Sequence, residues 1–130
     1  MKLAEALAAQ EQYEEALDLC LEAVEEDRPG AGETARKLNV EVDPHETWGS
    51  VLEQIFEVKI EHKLIQPIHI IDYPREISPL AKAHRDNPRL VERFETRING
   101  WEVSNAFSEL SDPIDQRQRF EAQMSERDKG

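Results

Sequence analysis

Downstream of Thr47 the apolar residues Trp48, Val51, Leu52, Ile55, Phe56 and Ile60 recur at the spacing of one helix face, with polar residues filling the other. Thr47 is placed to cap that helix, because its side-chain oxygen can take a free first-turn N–H. The helix is expected to stop before Gln66-Pro67, since a proline pushes the preceding residue out of the helical region. Near the N-terminus Tyr13, Leu17, Cys20 and Val24 also fall at helical spacing, with acids opposite them. The pattern there fits a short helix over Lys2–Gln10 followed by a second, or one continuous helix to Asp27. The Pro and Gly of Arg28-Pro29-Gly30-Ala31-Gly32 are expected to break regular structure, with a short helix over Glu33–Leu38 beyond them.

The period then changes. Pro67–Asp72 is apolar nearly throughout and reads as a strand covered on both faces, hence central and buried. From Tyr73 the chain is loop-like, punctuated by Pro74, Pro79 and Pro88. Two strand-like runs follow, Arg93–Ile98 and Trp101–Leu110, joined by Asn99-Gly100. Asn-Gly is the strongest short hairpin signal, because both turn residues need positive φ. The run over 105–110 also reads as buried. A closing helix starts with Asp112 as cap, Pro113 at its first position and Asp115 in its first turn, and extends to about Arg127. The fold class is therefore α+β, with N-terminal helices, a partial antiparallel β-sheet and a closing helix. The spacing Tyr13, Ala16, Cys20, Ala23 also resembles half a tetratricopeptide unit, but one copy has no neighbour to stack on, and an Ala/Glu-rich helical hairpin is the preferred reading. This divides the chain into a helical segment, 1–30, and a second region, 31–130.

Composition narrows the function. A chain of 130 residues is one domain at most in size. A net charge of −12 argues against a nucleic-acid grip made by this chain itself, because phosphate binding needs clustered Lys and Arg. The single Cys20 excludes an internal disulfide and fits a reducing compartment. No apolar run approaches the ~20 residues that span a bilayer, and Glu interrupts every N-terminal candidate for a signal peptide. A cytoplasmic location with no membrane partner is expected. The 4 histidines show no metal spacing with one another or with Cys20. Neither a Gly-x-Ser-x-Gly elbow nor a Gly-rich phosphate loop is present.

The chemistry concentrates on the hairpin. A two-residue turn sets Ile98 opposite Trp101, Arg97 opposite Glu102, Thr96 opposite Val103 and Glu95 opposite Ser104. Glu95 and Glu102 then share a face as diagonal neighbours, about 7–8 Å apart. Two carboxylates so placed suit a cation such as Mg²⁺. From the hairpin alone the preferred reading is that Glu102 pairs with Arg97 across the strands while Glu95 points to water. On the second strand Asn105, Phe107 and Glu109 share one face, offering an amide, an aromatic wall and a negative charge to a small cationic ligand. In a regular ladder that face is opposite to Glu102. All five residues share a face only if the strand carries a bulge near Val103-Ser104.

Ile77-Ser78-Pro79-Leu80-Ala81-Lys82 and Ser104-Asn105-Ala106-Phe107-Ser108-Glu109-Leu110, with Ile71-Asp72-Tyr73-Pro74 upstream, resemble the class II lysyl-tRNA synthetases. The resemblance runs from about Ala31 to Gly130 and is densest over Leu64–Arg119. It implies part of the class II catalytic fold, with Glu109 taking the lysine ε-ammonium, Phe107 packing on its methylenes and Asn105 holding its polar end. It also implies that Glu95 and Glu102 are the metal- and ATP-facing acids of a reaction that uses ATP and Mg²⁺. In that reaction lysine forms an adenylate and is then transferred to tRNA in the full enzyme. The family's first motif is missing, as is its second, whose arginine clamps the ATP phosphates, and the Gly-rich third motif would lie beyond Gly130. Adenylate formation by this chain alone is therefore expected to be negligible. The rival readings are a non-catalytic lysine-binding or protein-interaction module derived from a synthetase, and a subunit completed by a partner. Open sheet edges are expected to favour self-association.

Overall fold

The computed structural model describes Asp18 and residues 27–127; the expected N-terminal helices and the tetratricopeptide-like spacing lie outside the described residues. The chain forms two compact units divided between Ile65 and Gln66.

In the first unit, helix α1 spans Arg28–Lys37. The Pro-Gly stretch starts this helix rather than breaking structure. The Asp27 carboxylate accepts from the Gly30 N–H at 3.1 Å, and proline is tolerated in a first turn, where its missing N–H would have no helical partner. At the other end Asn39 takes φ 55°, with Val40 N–H donating to the Ala35 carbonyl at 2.9 Å and Asn39 N–H to that of Arg36 at 3.0 Å. This is a Schellman stop with asparagine in the left-handed position. Helix α2 spans Trp48–Lys59, capped as expected by Thr47, whose hydroxyl accepts from Ser50 N–H at 3.3 Å. The two helices pack on each other. Small residues of α1 (Ala31, Gly32, Thr34, Ala35) and Trp48, Val51 and Ile55 of α2 are buried. A 3₁₀ turn, Glu61–Lys63, follows before the chain reaches Gln66-Pro67.

The second unit is built on strands β1 (Ile68–Ile71), β2 (Arg93–Ile98) and β3 (Trp101–Phe107), antiparallel in the order β1-β2-β3. The central strand is thus β2, not the apolar β1, whose residues alternate between half-buried and exposed. Nor is β3 buried: it is an edge strand, and every residue of it is exposed. The expected turn is present, with positive φ at both Asn99 (54°) and Gly100 (75°). The long connection between β1 and β2 is closed on itself by single bridges, Pro74 to Leu90 and Ala83 to Val91, and a third joins its Ala81 to Glu109 just beyond β3. Helix α3 spans Pro113–Arg127, and the Asp112 carboxylate accepts from Ile114 N–H at 2.8 Å and Asp115 N–H at 3.3 Å, the expected cap. The observed class is α+β.

Candidate functional site

The β2–β3 ladder starts from the turn in the expected register, Ile98 opposite Trp101 and Arg97 opposite Glu102. It then shifts by one residue: Thr96 faces Ser104, Glu95 faces Asn105 and Arg93 faces Phe107. Val103 is the extra residue, so the strand carries the bulge that a shared face requires. Side chains alternate along each strand, so Glu95, Glu102, Asn105 and Phe107 occupy register positions on one face, together with Arg93 and Arg97. Glu109 continues that parity beyond β3, at the bridge to Ala81.

Glu95 is the hub of this face. It is only 4% exposed, and a carboxylate at that depth needs charged partners. The chain supplies both. Oε1 accepts from Arg93 Nη2 at 2.6 Å and Oε2 from Arg97 Nη2 at 2.8 Å. Arg93 also donates to Asn105 Oδ1 at 3.1 Å and Ser78 Oγ at 2.9 Å, and stacks 4.4 Å over the Tyr73 ring. Asn105 Nδ2 completes the circuit to Glu95 Oε1 at 3.4 Å. Burial first, and the Glu95 carboxylate second, push the Tyr73 phenol up and keep it protonated. The expected alternatives for Glu95 and Arg97 are therefore both corrected: Glu95 does not point to water, and it, rather than Glu102, pairs with Arg97. Glu102 is exposed and forms no ion pair with a described residue.

Phe107 and Glu109 are also exposed, and the Glu109 carboxylate likewise forms no ion pair with a described residue. The backbone around it is held firmly. Lys82 N–H donates to the Ser108 carbonyl at 2.8 Å, and Leu110 N–H to that of Leu80 at 3.0 Å. Segment 78–81 is anchored from α3, where Arg119, 7% exposed, donates to the carbonyls of Ser78 at 3.4 Å and Ala81 at 2.6 Å. Asp115 orients Arg119 through two bonds, 2.9 and 2.8 Å, and also meets Arg75. The Arg119 guanidinium foremost, with Arg75 beside it, holds the Asp115 carboxyl down at about 2. Sequence reasoning missed Arg93, Tyr73 and the Arg119–Asp115 pair. The signal for Arg93 was present, because alternation puts residues 93, 95 and 97 on one face.

The family described as tRNA synthetases class II (D, K and N) matches residues 3–130. The chain belongs to this family. Among curated relatives, the lysine–tRNA ligase of Sinorhizobium medicae is 54% identical over 96 residues, covering 74% of this chain and 19% of that protein. The enzyme of that name from Listeria monocytogenes is 54% identical over 100 residues (77% of this chain, 20% of that protein). That from Nostoc is 60% identical over 89 residues (68% and 16%). The chain thus spans about a fifth of the length of the relatives it matches. The family match includes most of the N-terminal segment, upstream of the Ala31–Gly130 stretch over which the motifs were seen.

Mg²⁺, which the synthetase family implies, can be tested against the donor set. Two carboxylates on one sheet face are the hard oxygen ligands that Mg²⁺ takes. The fit is chemical, and Glu102 offers an open ligand, whereas both oxygens of Glu95 are held by guanidiniums. Among the described residues no group of three or more His, Cys, Asp or Glu side chains stands together as a metal cluster. No described helix is long and apolar enough to cross a membrane.

Proposed function

We propose that this chain is the amino-acid-recognition part of a lysine–tRNA ligase catalytic domain. The observation that carries the reading is the bulge at Val103, which puts Asn105 and Phe107 on the face of Glu95 and Glu102, with Glu109 next in line. Glu109 would receive the lysine ε-ammonium, and a carboxylate is the natural partner for that group. Phe107 would pack along the methylenes. Asn105, its amide fixed by Arg93 and Glu95, would meet the polar end of the ligand. Selectivity follows from the same arrangement, because a neutral side chain would leave Glu109 without its cation once the pocket closed.

In the whole protein the reaction would be attack of the lysine carboxylate on the α-phosphate of ATP, giving lysyl-adenylate and pyrophosphate, then transfer of the lysyl group to tRNA. Glu95 and Glu102 would hold Mg²⁺, which when bound neutralises phosphate charge. The contribution of this chain is binding and orientation. The test is an amide NMR titration with L-lysine, with L-arginine as control. Shifts confined to 105–109 and specific to lysine, lost in Glu109→Gln, are expected. Equal responses to both amino acids, or none to lysine, would refute the assignment.

A further inference from the structure

We propose that Arg97 is the resident cation of the Glu95 carboxylate, so that a divalent ion reaches the Glu95–Glu102 pair only by displacing its guanidinium. The inference rests on Glu95 and Glu102 as the metal-facing acids and adds what controls their affinity.

Three observations carry it. Glu95 is 4% exposed with Oε1 on Arg93 and Oε2 on Arg97, so each oxygen already meets a cation and the carboxylate is sealed from water. Arg97 is the register partner of Glu102, which places it on the side of Glu95 that a shared ion would have to occupy. Arg93 is fixed by Ser78, Asn105 and the Tyr73 ring, and is thus part of the scaffold. Charge points the same way. A dication added beside both guanidiniums would leave a local cationic excess at a poorly hydrated carboxylate, and departure of Arg97 relieves it. Arg97 therefore sets the metal affinity of the site. In its presence the buried carboxylate is neutralised without metal, and the hairpin face stays ordered.

The experiment measures binding of Mn²⁺ to the 130-residue chain by the EPR signal of free Mn²⁺, for the wild type, Arg97→Gln, Arg97→Lys and Arg97→Gln with Glu102→Gln. Glu95 keeps Arg93 in every variant, so its charge stays paired. Arg97→Gln is expected to bind Mn²⁺ at least about tenfold more tightly than wild type, the scale of one charge-assisted hydrogen bond released. The double variant should lose that gain. Arg97→Lys should fall between, because an ammonium lacks the planar fork of a guanidinium and yields more readily. If Arg97→Gln lacks a cooperative melt, the order of Arg97→Lys and wild type decides, and only tighter binding by the lysine variant supports the exchange. Equal Mn²⁺ affinity in wild type and Arg97→Gln would overturn the exchange while leaving the acids as metal ligands. No Mn²⁺ binding by any folded variant would overturn the exchange together with the metal assignment on which it rests.

Discussion

On one face of the β2–β3 hairpin Arg93, Glu95, Arg97 and Asn105 are tied together by charge-assisted bonds, and Glu95 is sealed from water. On the other, Ile71 and Trp101 stand 62% and 74% exposed, and the polar contacts are the neutral ones of Thr96 with His69 and Ser104, each at 2.9 Å. The same backbone carries both. Partners on the first face are chosen by charge and direction, so each residue has few substitutes. The second face offers mainly apolar area, which many side chains could supply. The first face is therefore the one to which the proposed chemistry is assigned.

The contrast can be broken most forcefully at its hub. Glu95→Leu leaves two guanidiniums facing a buried apolar residue and should cost about 3–5 kcal/mol, read as a lower urea midpoint. Arg119→Met removes the anchor of the Ser78–Ala81 backbone and should cost about 1.5–3 kcal/mol in the same assay, with amide exchange rising first at Lys82 and Leu110. Acid sharpens the picture further. The folded carboxyl of Asp115 is held down at about 2, below the ordinary aspartate value of 3.8. Its contribution is complete above the unfolded value and fades as pH falls through the folded one. Stability should thus drop between about pH 4 and pH 2, and Asp115→Asn should flatten that limb in urea titrations at stepped pH. On the open face Trp101→Thr should stay within about 0.5 kcal/mol of wild type, the range of ordinary surface substitutions.

Local chemistry was the most legible part of the sequence. Thr47, Asn99-Gly100 and Asp112-Pro113 each act through their own neighbours, and each acts as expected. The three-isoleucine run of β1 says that both faces are apolar, but strand order comes from pairing with residues far along the chain. That is why β2 is the central strand, and why β3 is exposed although its residues look like those of an interior strand. Pro29-Gly30 was read as a break because the Asp27 cap before it was overlooked. On the candidate site, parity alone exposed the need for a bulge. The partner of Glu95 was not legible, since Arg97 can reach either acid and only the depth of Glu95 decides between them.

The account depends most on the shift of register at Val103, and cross-strand NOEs of the labelled chain report it directly. Contacts between Arg97 and Glu102, Thr96 and Ser104, and Glu95 and Asn105 are predicted, with Val103 unpaired. A continuous ladder pairing Thr96 with Val103 and Glu95 with Ser104 would put Asn105 and Phe107 on the face opposite Glu95, contradicting the shared site.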